Sequence, residues 1–220
     1  MNPRTQEEFD AWFAGGDPWD YHSPFVLERL RASLCFLTKY YHADFNGTFV
    51  EFGAYNGDFT RLLSKQFPKA KIIANDISSV AIQRLKKEMV AYPAVDFFCS
   101  DMLTFEVEKF GDENGVAILL MEILYYMSLE EQNLFLQNLS KKMPYARVFI
   151  SAPVSGGKYY NEPCLFKLFA KSGYICQGNL VLNLKQILRP MRFYLRLSSK
   201  WGWLRRRLAH QVLYLFSQKN

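Results

Sequence analysis

The sequence predicts an α/β fold, a mostly parallel sheet with helices on both faces. Three observations predict it. β-prone apolar segments alternate with helix-patterned segments from about residue 48 to residue 152, the alternation of parallel strands joined by helical crossovers. The run Gly115–Met121, GVAILLM, is apolar without a break, as a strand buried on both faces requires. Acids then follow three successive strands as Asp76, Asp101 and Glu122, which places them at the carboxyl edge where open α/β sheets bind ligands.

The elements follow in order. Residues 6–14 and 24–41 read as helices ahead of the sheet; in the second, Phe25, Leu27, Leu30, Leu34 and Leu37 recur at roughly helical spacing. The first strand is 48–52 and its helix 58–67, stopped by Pro68. A second strand at 71–75 leads to a helix near 78–90, with Ser78 or Ser79 as N-cap. The third and fourth strands are 95–99 and 115–121. Ser128 with Glu131 three residues on is a capping box for a helix at 129–141. Residues 147–152 form the fifth strand, and the loop SGGKYY at 155–160 lies at the same edge as the acids. A helix at 161–171 ends at Ser172-Gly173, and strands at 174–182 and 210–217 complete the set.

The stretch Phe49–Thr60, FVEFGAYNGDFT, is a strand, a glycine-bearing turn and a helix start. Gly53 and Gly57 let backbone approach a ligand closely. Asp76, at the tip of the next strand, can accept hydrogen bonds from two ribose hydroxyls. A dinucleotide site needs G-x-G-x-x-G; here Tyr55 holds the middle place and the third glycine is absent. Glu51 would repel a pyrophosphate but suits a cationic ligand. S-adenosylmethionine, with its sulfonium and α-ammonium groups and no phosphate, is such a ligand.

The stretch resembles motif I, E-x-G-x-x-x-G, of the class I S-adenosylmethionine-dependent methyltransferases. The resemblance implies a Rossmann-like sheet whose last strand, His210–Ser217, is antiparallel. It implies that Asp101 bonds the adenine amino group and the Met102 N–H a ring nitrogen. The cofactor set it implies is Glu51, Gly53, Ala54, Tyr55, Asn56, Gly57, Asp76, Ile77, Asp101, Met102 and Glu122, with Trp19 closing over the sulfonium by cation–π attraction. Asp17-Pro18-Trp19 and Glu122-Ile123-Leu124-Tyr125-Tyr126-Met127 are further similar to the NodS-like branch, over residues 9–160. Those enzymes N-methylate a glucosamine unit of a chitooligosaccharide. The resemblance therefore implies a sugar or glycan acceptor and an amino-sugar nitrogen, with a sugar hydroxyl or another small molecule as the alternative.

An amine attacks only as its neutral form, so a base is needed. Glu122 is the first candidate and His22, beside Tyr21, the second. Tyr125 is placed with the catalytic set and Tyr126 with the acceptor. A different class of reading, a non-catalytic membrane-associated module that keeps the fold, is separated from the enzyme by its failure to bind S-adenosylhomocysteine.

Charge divides the chain. Up to Glu162 there are 16 Lys and Arg against all 21 acids, net −5; after it there are 11 Lys and Arg and no acid, net +11. One methyltransferase domain over 1–220 is expected: a helical cap at 1–46, a core sheet at 47–183 and 209–220, and a basic helical insertion at 184–208. In the insertion Lys185, Arg189, Arg192, Arg196 and Lys200 share one helical face. Arg205, Arg206 and Arg207 follow it as candidate acceptor contacts. This segment reads as a lid on an anionic glycan or phosphate, as a peripheral helix on anionic lipid, or as a solvated structural helix. No aromatic–basic RNA motif is present and no nucleic-acid partner is expected. Cys35, Cys99, Cys164 and Cys176 have no metal-type spacing, so no metal is expected and the thiols read as buried structural residues. No signal-like stretch and no apolar run of roughly 18 residues is seen, which reads as a cytoplasmic protein.

Overall fold

The two apolar runs near 48–52 and 115–121 lie side by side in the middle of a seven-stranded sheet. The structure, a computed structural model, describes residues 5–18, 21, 23–111, 115–153, 162–182 and 211–219. In chain order the elements are α1 (Gln6–Ala14), α2 (Pro24–Leu37), β1 (Thr48–Phe52), α3 (Asp58–Gln66), β2 (Lys71–Asp76), α4 (Ser79–Glu88), β3 (Val95–Cys99), β4 (Val116–Met121), α5 (Leu129–Lys142), β5 (Arg147–Pro153), α6 (Glu162–Ala170), β6 (Tyr174–Leu182) and β7 (Gln211–Gln218). The strand order is β3-β2-β1-β4-β5-β7-β6. The first five strands are parallel, and β7 runs antiparallel to both β5 and β6. The expected antiparallel last strand is therefore present. The 184–208 insertion lies outside the described residues.

Alternate residues of each strand feed two cores. Val50, Phe52, Ile118, Leu120, Val148, Ile150, Tyr214 and Phe216 pack under α5 and α6. Phe49, Ala117, Leu119, Phe149, Leu213 and Leu215 pack under α2, α3 and α4. Covering both faces explains why the central strands carry no polar alternation. Each fully buried large apolar side chain contributes roughly 1.5–3 kcal/mol, so this layer dominates stability.

Helix starts follow the expected chemistry. Ser128 and Glu131 form the capping box of α5 (3.2 and 2.6 Å), and Ser78 caps α4 through the Ala81 amide (3.1 Å). Thr5 and Glu8 form a second box, at α1. Helix α2 ends at Leu37, four residues short of the expected boundary, and Thr38 caps it; Tyr40 and Tyr41 turn instead into an aromatic cluster with Phe36 and Phe149. The cysteines correct an expectation. None of the four is in a disulfide, and all four are exposed rather than buried. No helix among the described residues is long and apolar enough to cross a membrane.

Glu51 points from β1 toward α3, is 2% exposed, and accepts a hydrogen bond from Thr60 Oγ1 at 2.7 Å. Burial pushes its carboxyl up to about 8, the Thr60 bond lowers it in part, and the Asp76 charge raises it. The folded state thus holds a proton that the unfolded chain has lost, and stability falls as pH rises from about 4.5 to 8. Glu51→Gln keeps the acceptor for Thr60 and removes this cost. Its melting temperature should exceed that of the wild type by a margin that grows from pH 5 to pH 8, reaching ~5–10 °C. A margin independent of pH in thermal melts would contradict a neutral buried Glu51.

Candidate active site

At the carboxyl ends of β1 to β4 the structure opens a cavity of about 410 Å³, within the size range of small-molecule sites. The tip of β2 organises its floor. The Asn75 carbonyl accepts the Gly53 and Ala54 amides (2.8 and 3.1 Å), while its side chain exchanges hydrogen bonds with Ser100 (3.0 and 2.8 Å). Asp76 Oδ2 accepts the Tyr55 amide and Oδ1 the Ser78 amide, each at 2.9 Å. Asp76 is 4% exposed. Burial pushes its carboxyl up to about 6 against the Ser78 and Tyr55 amides, which lower it. Asp101 holds the Leu103 amide at 2.8 Å in a turn at the end of β3.

The turn after β1 needs its glycines for their left-handed backbone, and their close neighbours add to that need. Gly53 has φ +74°, and a Cβ there would come within 2.3 Å of Ile123 Cγ2. Gly57 has φ +78°, and a Cβ would meet Leu85 Cδ1 of α4 at 2.0 Å. Between them Tyr55 adopts φ 45°, a costly conformation for a residue with a Cβ. Its amide is thereby aimed at Asp76 and its ring at the cavity wall.

The end of β4 carries the second left-handed residue that is not glycine, Glu122, with φ 61°. Ser151 of β5 holds it twice: the Ser151 carbonyl accepts the Glu122 amide at 3.1 Å, and the Ser151 hydroxyl donates to Glu122 Oε1. This grip fixes the carboxylate at the cavity. The short 3-10 turn Leu124–Tyr126 follows and sets the Tyr125 ring against that of Tyr126, tilted by 37° with centroids 4.8 Å apart. Burial, with the Glu122 charge next, drives the Tyr125 phenol far above its ordinary range, and burial does the same for Tyr21. Both phenols therefore stay protonated at neutral pH.

Helix α1 forms the roof. Phe13 lies 4.6 Å from the Tyr55 ring, Phe9 5.4 Å from Tyr126, and Tyr21 4.8 Å from Tyr55. Arg29 of α2 is the one Lys or Arg that lines the cavity among the described residues, facing an otherwise acidic set of Asp76, Asp101, Glu122 and Glu131.

Of the residues expected from sequence, Gly53, Tyr55, Asp76, Ile77, Asp101, Met102, Glu122, Tyr125 and Tyr126 line this one cavity. Glu51, Ala54, Asn56 and Gly57 do not. Glu51 turns away to Thr60 and Gly57 serves the α3–α4 packing, so the expected attraction of a Glu51 carboxylate for a cationic ligand is replaced by a neutral structural role. Trp19, His22, Arg205, Arg206 and Arg207 lie outside the described residues. Sequence reasoning missed Phe9, Phe13, Tyr21, Arg29 and Ser151. For Phe9 and Phe13 the spacing of four on a short helix was a usable signal; for Ser151 and Arg29 there was none.

Residues 49–143 match a protein-family model described as a methyltransferase domain. No curated protein matches the chain in sequence. Among solved structures, the chain is similar to the N-methyltransferase NodS from Bradyrhizobium japonicum WM9 in complex with S-adenosyl-L-homocysteine, with a TM-score of 0.70, 15% identity, and coverage of 99% of this chain and 100% of that one. It is similar to a putative methyltransferase in complex with the Haloferax volcanii Trm112 activator, with a TM-score of 0.71, 15% identity, and coverage of 97% and 98%. It is also similar to magnesium protoporphyrin IX methyltransferase from Synechocystis PCC 6803 with bound SAM, with a TM-score of 0.63, 13% identity, and coverage of 96% and 91%. At such identities the likeness is one of fold: the chain has the fold of the class I methyltransferases, resembles NodS in architecture, and matches a methyltransferase domain over residues 49–143.

Proposed function

We propose that this protein is an S-adenosylmethionine-dependent methyltransferase that methylates a nitrogen of an amino sugar, free or within a glycan. The observation that carries the reading is Glu122: a carboxylate in a costly backbone conformation, gripped by Ser151, at the cavity and next to a tyrosine pair. The similarity of Asp17-Pro18-Trp19 and Glu122–Met127 to the NodS-like branch supports the amino-sugar acceptor. The acidic, aromatic walls suit an acceptor that arrives as an ammonium ion.

The cavity fits the cofactor. Asp76 offers buried carboxylate lone pairs for ribose hydroxyls, Asp101 and Met102 sit at the β3 end for the adenine, and Arg29 supplies the cation that a methionine carboxylate needs. When bound, S-adenosylmethionine supplies an electrophilic methyl group on a sulfonium. Glu122 takes the proton from the acceptor ammonium and so exposes the nitrogen lone pair. Tyr125 and Tyr126 orient the acceptor through their hydroxyls, and the roof of Phe9 and Phe13 excludes water. The basic C-terminal part of the chain, net +11 with no acid after Glu162, suits an acceptor or a membrane surface of negative charge.

Incubation with methyl-labelled S-adenosylmethionine and a panel of amino sugars, nucleotide sugars and glycans tests the reading. Label on an amino-sugar nitrogen is expected; label only on hydroxyls, or on none of the panel, would overturn it. Glu122→Gln should lower turnover about 10²-fold or more while leaving S-adenosylhomocysteine affinity within a few-fold. Turnover within a few-fold of wild type would make Glu122 structural and move the base to His22. Asp76→Ala should weaken S-adenosylhomocysteine binding by about 1.5–3 kcal/mol in calorimetry. Because the ionised carboxylate is the better acceptor and its value is about 6, wild-type affinity should fall roughly tenfold from pH 7 to pH 5. Asp76→Asn should flatten that dependence; an unchanged slope would separate Asp76 from the ligand.

A further inference from the structure

Asp10 of α1 lies outside the cavity lining, yet it holds three groups at the start of α4. Its Oδ1 accepts the Ser78 hydroxyl and the Val80 amide (3.2 Å), and its Oδ2 accepts the Ser79 hydroxyl at 2.8 Å. A carboxylate there also faces the positive end of the α4 dipole. Ser78 passes the contact inward, because its own amide is bound to Asp76 Oδ1 at 2.9 Å. One turn of α1 therefore carries both this latch and the roof, with Phe9 and Phe13 flanking Asp10 in sequence.

Besides the latch, the Gln6 side-chain amide of α1 donates to Cys99 Sγ at 3.7 Å. Helix α1 has nine residues, too few to be stable alone in water. Phe9 and Phe13 belong to a small cluster with Tyr55 and Ala81, apart from the two cores of the sheet. Phe9, Phe13 and Tyr55 of this cluster also line the cavity.

We propose that Asp10 is a positioning residue that couples closure of the α1 roof to cofactor binding, by latching α1 to Ser78, Ser79 and Val80 beside the ribose-binding Asp76. This rests on the assignment of Asp76 to the cofactor. By reciprocity, a cofactor that gains affinity from the docked roof tightens the docking of α1 by the same factor. Burial alone would raise the Asp10 carboxyl; the Ser78, Ser79 and Val80 bonds outweigh it and lower it, so the latch carries its charge at neutral pH.

The test uses the full chain, S-adenosylhomocysteine calorimetry and hydrogen exchange of the α1 amides. Asp10→Ala should weaken binding about 10-fold or more and speed α1 exchange in the unliganded protein, with the melting temperature nearly unchanged because the sheet cores are intact. Asp10→Asn, which keeps an acceptor for Val80, should lose less. In the wild type, ligand should slow α1 exchange. Phe13→Ala should be non-additive with Asp10→Ala, since both act by undocking the same helix. Asp10→Ala affinity within twofold of a wild type that does bind, or additivity in the cycle, would overturn the coupling and leave the cofactor assignment standing. A wild type that does not bind S-adenosylhomocysteine would remove the assignment itself.

Discussion

The end of β2 is the point on which the rest of the site depends. Asn75 and Asp76 are both buried, and a buried polar group left unpaired costs about 1–3 kcal/mol. Their partners come from three separate segments: Gly53, Ala54 and Tyr55 after β1, Ser100 after β3, and Ser78 before α4. Satisfying this pair therefore fixes three loops against one another. The cavity is the space those loops leave, and the left-handed conformation of Tyr55 is the local cost of delivering its amide to Asp76.

The same burial separates two neighbouring acids by charge. Glu51 receives one side-chain hydroxyl bond and is pushed up to about 8, whereas Asp76 receives two backbone amide bonds and rises only to about 6. At neutral pH the first is mostly neutral and the second mostly ionised. A neutral Glu51 can sit at the centre of the sheet without a counter-ion, while an ionised Asp76 remains a strong acceptor at the cavity. Glu122 reaches the cavity by a different device, a strained backbone held by Ser151.

The sheet was legible in the sequence because its signals are local. Unbroken apolar runs mark strands covered on both faces, and β1, β3 and β6 have the expected limits. Ser128–Glu131 and Ser78 announce helix starts through short-range hydrogen bonds. The acids at the strand ends were legible through topology, which brings Asp76, Asp101 and Glu122 to one edge. What was not legible depends on which way a side chain turns. Glu51 alternates toward α3, away from the cavity, and the four cysteines are exposed. Gly53 answers to Ile123, 70 residues further along, and Arg29 and Ser151 enter the site from helices and strands that carry no motif. The roof of Phe9 and Phe13 depends on Asp10 finding the start of α4, a contact 68 residues apart in sequence.

The central claim is that the β2 tip presents Asp76 to a cofactor enclosed between it, Glu122 and the α1 roof. A crystal structure of the complex with S-adenosylhomocysteine tests this most directly. Ribose hydroxyls on the Asp76 carboxylate, the adenine at Asp101 and Met102, the thioether sulfur turned toward Glu122 and Tyr126, and Phe9 and Phe13 closed over the ligand are the expected result. A ligand bound outside this cavity, or inside it with the ribose away from Asp76, would contradict it.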